Sequence, residues 1–291
     1  MSQSIITPKN NEQVTYLRPS SGWSALNLRD LWNYRELIYF LIWRDIKVRY
    51  KQTALGAAWA IIQPFFTMIV FTIFFGRLAG VPSEGVPYPI FSYTALLPWG
   101  LFTKALSDAG RSMVSNRAMI TKVYFPRLVI PIASVLSGLV DFSIAFLVLL
   151  GMIVYYNHVP GDYNTIAITP AILTLPLFLL LALGTALGVG LWLSALNVKY
   201  RDINYILPFL TQFWLFITPV AYPASMVPEK WRWLYAINPM TGVVEGFRWA
   251  MLGTSSGPDL MLLVSISISL VLLVTGLFYF RRMERTFADT V

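Results

Sequence analysis

Two sets of side chains in this sequence are suited to handling a bulky, hydroxyl-rich molecule. Trp59, Gln63, Phe66 and Val70 share one face of an apolar stretch. Tyr205, Phe209, Gln212, Phe213 and Phe216 fall within about 100° of arc on another, at about 100° of helix rotation per residue. Each face mixes aromatic rings with an amide. Rings offer flat, amphipathic surfaces on which sugars stack, and an amide supplies both a donor and an acceptor for hydroxyls. Such faces suit a passage for carbohydrate-like cargo. They suit lipid contact and helix packing as well.

Little else is equipped for chemistry. With no cysteine, disulfides and thiolate metal sites are excluded, and the single histidine, His158, cannot by itself make a His-based metal site; any Ser/His/Asp set would have to use that one residue, which falls in a short outer loop and is read as solvated. No G-x-x-x-x-G-K-[ST] loop is present to cradle nucleotide phosphates. The chain is therefore read as no enzyme, binding no cofactor of its own. Asp141 falls in the middle of an apolar stretch, where an ionisable group is a functional suspect by default; Ser137 or a neighbouring helix would satisfy it in a structural role. Asp108 and Arg111, and likewise Glu245 and Arg248, lie three apart and are expected to pair. A proton-coupled carrier would show several intramembrane ionisable groups rather than one. Work must come from a partner, or transport is passive.

The elements that position these residues belong to a membrane protein. Hydrophobic residues make up 56% of the 291-residue chain, charged ones 12%, and mean hydropathy is +0.61. Six apolar stretches, 54–76, 90–106, 128–156, 171–196, 204–222 and 260–280, are each about long enough to cross a bilayer. The expected fold is all-α integral membrane with six transmembrane helices. Between alternate stretches, 18 of the 22 lysines and arginines fall on one side. The positive-inside rule puts that side, with both termini, in the cytoplasm. The net charge of +8 then reflects topology and anionic lipid rather than nucleic acid. Residues 1–52 read as a cytoplasmic segment, 53–281 as the membrane domain and 282–291 as a cytoplasmic tail.

Two further helical regions flank this frame. Residues 33–51 read as an amphipathic helix, with Tyr39, Trp43, Ile46 and Tyr50 in one stripe between basic residues. It lies either in the headgroup layer or against its own bundle. Residues 226–253 are too polar for a span yet rich in rings, including Trp231, Trp233 and Tyr235. Two half-length helices, 229–237 and 241–252, are expected on the outer side either of Asn238-Pro239, as a re-entrant or interfacial pair. Gly184 and Gly188 form a small-xxx-small face in the fourth stretch.

In order along the chain stand DIKVRYKQT at 45–53, LGAAW at 55–59, Gln63-Pro64, KVYFPR at 122–127, NVKYRD at 197–202 and YAINPM at 235–240. With six apolar stretches between them, the chain resembles the permease subunits of type-2 ABC exporters, in the branch that moves O-antigen, capsule or teichoic-acid polysaccharides. The resemblance implies an inner-membrane homodimer that binds two copies of a cytoplasmic ATPase subunit, which would carry the ATP and magnesium. It implies a lipid-linked polysaccharide cargo, although another amphipathic cargo such as a glycolipid or drug would fit the same architecture. By the same resemblance, Arg44, Asp45, Lys47 and Arg49 on the first helix and Arg117, Lys122 and Tyr124 on a coupling loop would meet the ATPase. Trp59, Gln63, Phe66, Tyr205, Phe209, Gln212, Phe213 and Phe216 would line the path. Trp231, Trp233, Tyr235, Glu245 and Arg248 would belong to the outer re-entrant segment. A secondary carrier or channel is the competing class, but no internal repeat between 54–156 and 171–280 supports it.

Overall fold

The computed structural model describes residues 28–51, 56–158, 165–166, 169–253, 257, 260–284 and 287. The expected N-terminal lead through residue 27, the motif residues 52–55 and most of the tail after 284 lie outside the described residues. Among the described residues every regular element is helical. Helices α1 (Leu28–Asn33) and α2 (Arg35–Lys51) precede α3 (Trp59–Phe71), which runs on into a π-helical stretch, Thr72–Leu78. Then come α4 (Tyr88–Ser115), the single turn α5 (Arg117–Ile120), α6 (Val129–His158), α7 (Leu175–Lys199) and α8 (Ile203–Ile217). The chain ends on α9 (Glu229–Tyr235), α10 (Pro239–Leu252) and α11 (Leu260–Glu284).

Four stretches are long and apolar enough to cross a membrane: Gly56–Leu78, Val129–His158, Pro170–Lys199 and Leu260–Glu284. Of the other two expected spans, α4 is a 28-residue helix whose C-terminal half carries Lys104, Asp108 and Arg111, and α8 is apolar but 15 residues long. The bundle is organised around α7, which packs on α4, α10 and α11. Small residues permit the approach. A Cβ at Gly190 would lie 2.6 Å from that of Ala109, and one at Gly188 would lie 2.6 Å from the backbone nitrogen of Leu273. Phe91, Phe102, Phe178 and Phe247 fill the core between these helices.

A second apolar cluster seats α2 on the bundle, with Leu41 buried among Met113, Leu128, Leu191 and Phe280. The expected aromatic stripe therefore divides: Tyr39 and Trp43 stay exposed, while Tyr50 turns toward α6. The buried face is the neighbouring one, with Tyr34, Leu37 and Ile38 packed on the cluster. The break expected at Asn238-Pro239 is present. Asn238 caps α10, accepting from the Met240 amide at 3.0 Å, and Pro239 takes the first helical position, where no donor is needed.

Candidate functional site

Helix α8 presents an aromatic face that the rest of the chain leaves bare. Tyr205 is 82% and Phe209 72% exposed, and Phe213 and Phe216 follow on the same side. The Phe209 and Phe213 rings lie nearly parallel, 14° apart at 6.3 Å, and so make a ladder one helical turn long. Gln212 is exposed beside them. On α3, Trp59, Gln63 and Phe66 are exposed as well. Only 6% of the first apolar stretch is buried within the chain, against 44% of Pro170–Lys199. Helices α3 and α8 both pack on α4. An amide facing lipid hydrocarbon is costly, so two glutamines on exposed faces of apolar helices fit a hydrated or partnered seam.

The C-terminal end of α8 is shaped by proline and held by a buried arginine. Pro219 drives the preceding Thr218 into an extended conformation (φ −98°, ψ 141°), which ends the helix. The carbonyls that follow then lack helical donors. Arg248, fully buried on α10, supplies them. Its guanidinium donates to the carbonyls of Pro219 at 2.6 Å, Val220 at 2.7 Å and Tyr222 at 3.3 Å, and to Glu245 at 3.0 Å. It also lies 3.7 Å from the centroid of the Phe91 ring. Trp214 Nε1 donates to Asn238 Oδ1 at 2.8 Å, and Asn238 Nδ2 to Thr218 Oγ1 at 2.9 Å. The expected Glu245–Arg248 pair forms, but the spacing of two charges gave no sign of the carbonyl cluster. Trp231 and Trp233 are exposed on α9, and the Tyr235 hydroxyl donates to that of Tyr222 at 2.8 Å.

A charge cluster joins α2, α4 and α6. Arg49 on α2 donates to Asp141 at 2.6 Å, to the Ser137 hydroxyl at 3.2 Å and to Asp108 at 3.4 Å. Lys104 lies 3.6 Å from Asp108 and 3.5 Å from Asp141. Tyr50 also donates to Asp141. Burial, followed by the Asp141 carboxylate, pushes the Tyr50 phenol up to about 12, which keeps its proton in place for that bond. Two cations thus balance two carboxylates, so the cluster adds no net charge. Asp108 faces Lys104 and Arg49, not the Arg111 expected from spacing. Lys104 lies one turn before it on the same face, and α2 delivers Arg49 from outside the helix. The sequence offered Ser137 or a neighbouring helix as the partner of Asp141, and the fold reveals that α2 brings Arg49 to both.

The remaining residues assigned to the ATPase side divide into two groups. Arg44 bonds Asp45 and Asn116, each at 2.8 Å, and so ties α2 to the end of α4, while Arg49 is engaged as above. Lys47, Arg117, Lys122 and Tyr124 are exposed, Lys47 lying 5.0 Å over the Trp43 ring. Among the described residues no group of His, Asp and Glu could hold a metal ion. The arrangement can bind, guide and move.

Residues 36–252 match a family model described as ABC-2 type transporter. The chain is 29% identical over 270 residues to a protein named O-antigen export system permease protein RfbA from Myxococcus xanthus, covering 91% of this chain and 98% of that one. A protein of the same name from Klebsiella pneumoniae is 28% identical over 87% of this chain and 94% of its own length. Polysialic acid transport protein KpsM from Escherichia coli is 25% identical over 84% of this chain and 92% of its own.

Proposed function

The chain belongs to the ABC-2 type transporter family, and from that premise we propose that it is the membrane permease subunit of an ATP-driven exporter of lipid-linked polysaccharide. The observation that carries the reading is the bare aromatic ladder of α8 in a chain whose relatives are named for O-antigen and polysialic acid transport. A long polymer cannot be swallowed by a closed pocket. It needs a corridor of repeated weak contacts, each released as the next forms, and parallel rings stack on varied sugars without fixing one register.

In this reading two copies pair about a two-fold axis, with Trp59, Gln63 and Phe66 of one face and the α8 ladder lining the seam. The low burial of the first span and the exposed glutamines support that pairing. Six spans cross the inner membrane with both termini in the cytoplasm, α4 and α8 completing the four longer apolar stretches. Helices α9 and α10 form the outer re-entrant pair. One ATPase subunit docks under each copy, on Lys47, Arg117, Lys122 and Tyr124, and binds the ATP and magnesium. Its closure reaches α4 and α6 through the Arg49–Asp141 cluster.

Replacing Phe209 and Phe213 together by alanine tests the corridor. Surface polymer is expected to fall strongly while the purified complex keeps its ATPase partner. Normal export by this double variant would refute the corridor. Purification of the native complex without a stoichiometric ATPase would refute the exporter.

A further inference from the structure

The loop entering α4 holds Glu84 at φ 55°, the one non-glycine residue among those described with a left-handed backbone. A residue with a Cβ keeps that conformation only when its surroundings impose it, and such outliers concentrate where a side chain must be aimed. Ser225 donates to Glu84 Oε1 at 3.1 Å. The other oxygen, Oε2, is buried with no hydrogen-bond partner among the described residues. Thr241 Oγ1 is in the same condition. Helical threonines elsewhere in the chain, such as Thr94 and Thr185, donate to the carbonyl four residues back. Thr241, in the first turn of α10, does not. Buried polar groups are almost always paired, so two orphans together require explanation.

The residues that carry both orphans, Glu84 and Thr241, line one cavity of about 190 Å³, together with Tyr235, Trp249 and Met261. The volume far exceeds the roughly 10–15 Å³ that one water needs and falls below the roughly 300 Å³ at which drug-sized pockets begin. It suits a single six-membered ring. Polar side chains beside aromatic walls suit a hydroxylated one. We propose that this cavity binds one sugar unit of the emerging polymer, with Glu84 Oε2 and Thr241 Oγ1 taking its hydroxyls. The site lies off the α8 ladder but is wired to it: Tyr235 donates to Tyr222, whose hydroxyl donates to the Phe216 carbonyl at 3.0 Å. Occupancy therefore bears on the last ring of the corridor. The proposal rests on the polysaccharide reading.

The chain has no cysteine, so Met261→Cys gives a single thiol at the cavity wall. Its labelling by a charged maleimide is followed from the outer side in spheroplasts of cells that make the polymer and of cells blocked in its synthesis, with export scored in the same cultures. Labelling is expected to be several-fold slower when polymer is made. Glu84→Gln or Thr241→Val should each weaken the site about tenfold, the loss of one good hydrogen bond, and return the rate to that of polymer-free cells. Thr241→Val should also leave thermal stability without polymer unchanged or higher, since it removes an unpaired buried hydroxyl. Equal labelling in both cultures, no labelling from outside in either, or protection that survives both substitutions would overturn the site. Absence of export by the unaltered chain would instead overturn the exporter reading.

Discussion

Replacing Arg248 by methionine tests whether the buried guanidinium holds the C-terminal end of α8. The substitution keeps much of the side-chain length and removes every donor. Glu245 is left as a poorly compensated carboxylate, and the carbonyls of Pro219 and Val220 lose contacts of 2.6 and 2.7 Å. Breaking one partner of a buried ion pair costs about 3–5 kcal/mol, and each orphaned carbonyl adds about 1–3 kcal/mol where water cannot reach it. The low end of each adds to an expected loss of about 5 kcal/mol, a large part of a typical 5–15 kcal/mol total. Adding Glu245→Gln removes the stranded charge and should restore about 1–2 kcal/mol, because contacting residues do not act additively. Arg248→Lys should fall between, since a single ammonium cannot reproduce the planar fork that reaches several carbonyls at once. Unfolding in mixed micelles measures all four proteins. A methionine variant within about 1 kcal/mol of the unaltered chain, or a double variant less stable than the methionine variant alone, would refute the argument.

Two further outcomes follow from the packing. Arg49→Gln removes the ion pair with Asp141, whose side chains are 24% and 17% exposed, and should cost about 2 kcal/mol while lowering export more than ATPase binding; unchanged export per ATP hydrolysed would show that α2 does not act through this cluster. Gly190→Ala places a methyl 2.6 Å from that of Ala109 and should destabilise by about 1–3 kcal/mol, with Ala109→Gly restoring most of the loss; failure of that rescue in thermal unfolding would mean that α4 and α7 are not held at this contact.

The helical architecture was legible because its signal is local. Apolar runs, proline and the Asn238-Pro239 break act within a few residues, and helices stand at each. The aromatic face of α8 was legible for the same reason: its members share one helix, so spacing alone puts them together. What spacing missed was every tie between distant elements. Arg248 was visible only as the partner of Glu245, three residues away, while its carbonyl acceptors lie 26 to 29 residues back. Asp141 was suspect on sight, yet its partner Arg49 is 92 residues earlier. Glu84 carries no motif at all, and its left-handed backbone follows from the loop it closes. On α2 the aromatic stripe was real as a pattern, but Leu41 and its aliphatic neighbours proved to be the packed face.

These distant ties explain how α8 can be both bare and positioned. Only Ile203 and Leu207 of its fifteen residues are buried, too little apolar contact to fix a helix firmly. Polar ties at its two ends do the rest. At its N-terminal end Asn204 donates to Asn197 at 3.1 Å, and Asn197 to the Gly110 carbonyl at 3.0 Å. At its C-terminal end Asn238 and Arg248 hold Trp214, Thr218 and the extended turn beyond. Between them, the Phe102 and Trp214 rings meet at 4.9 Å and join α8 to α4. Hydrogen bonds fix the ends by direction, whereas packing fixes a helix along its length. A helix held the first way leaves its aromatic face uncovered along its length. The N-terminal tie runs through α4, which carries Lys104 and Asp108 of the α2 cluster, and the C-terminal tie runs through α10. Both ties therefore pass through helices whose polar groups are already paired.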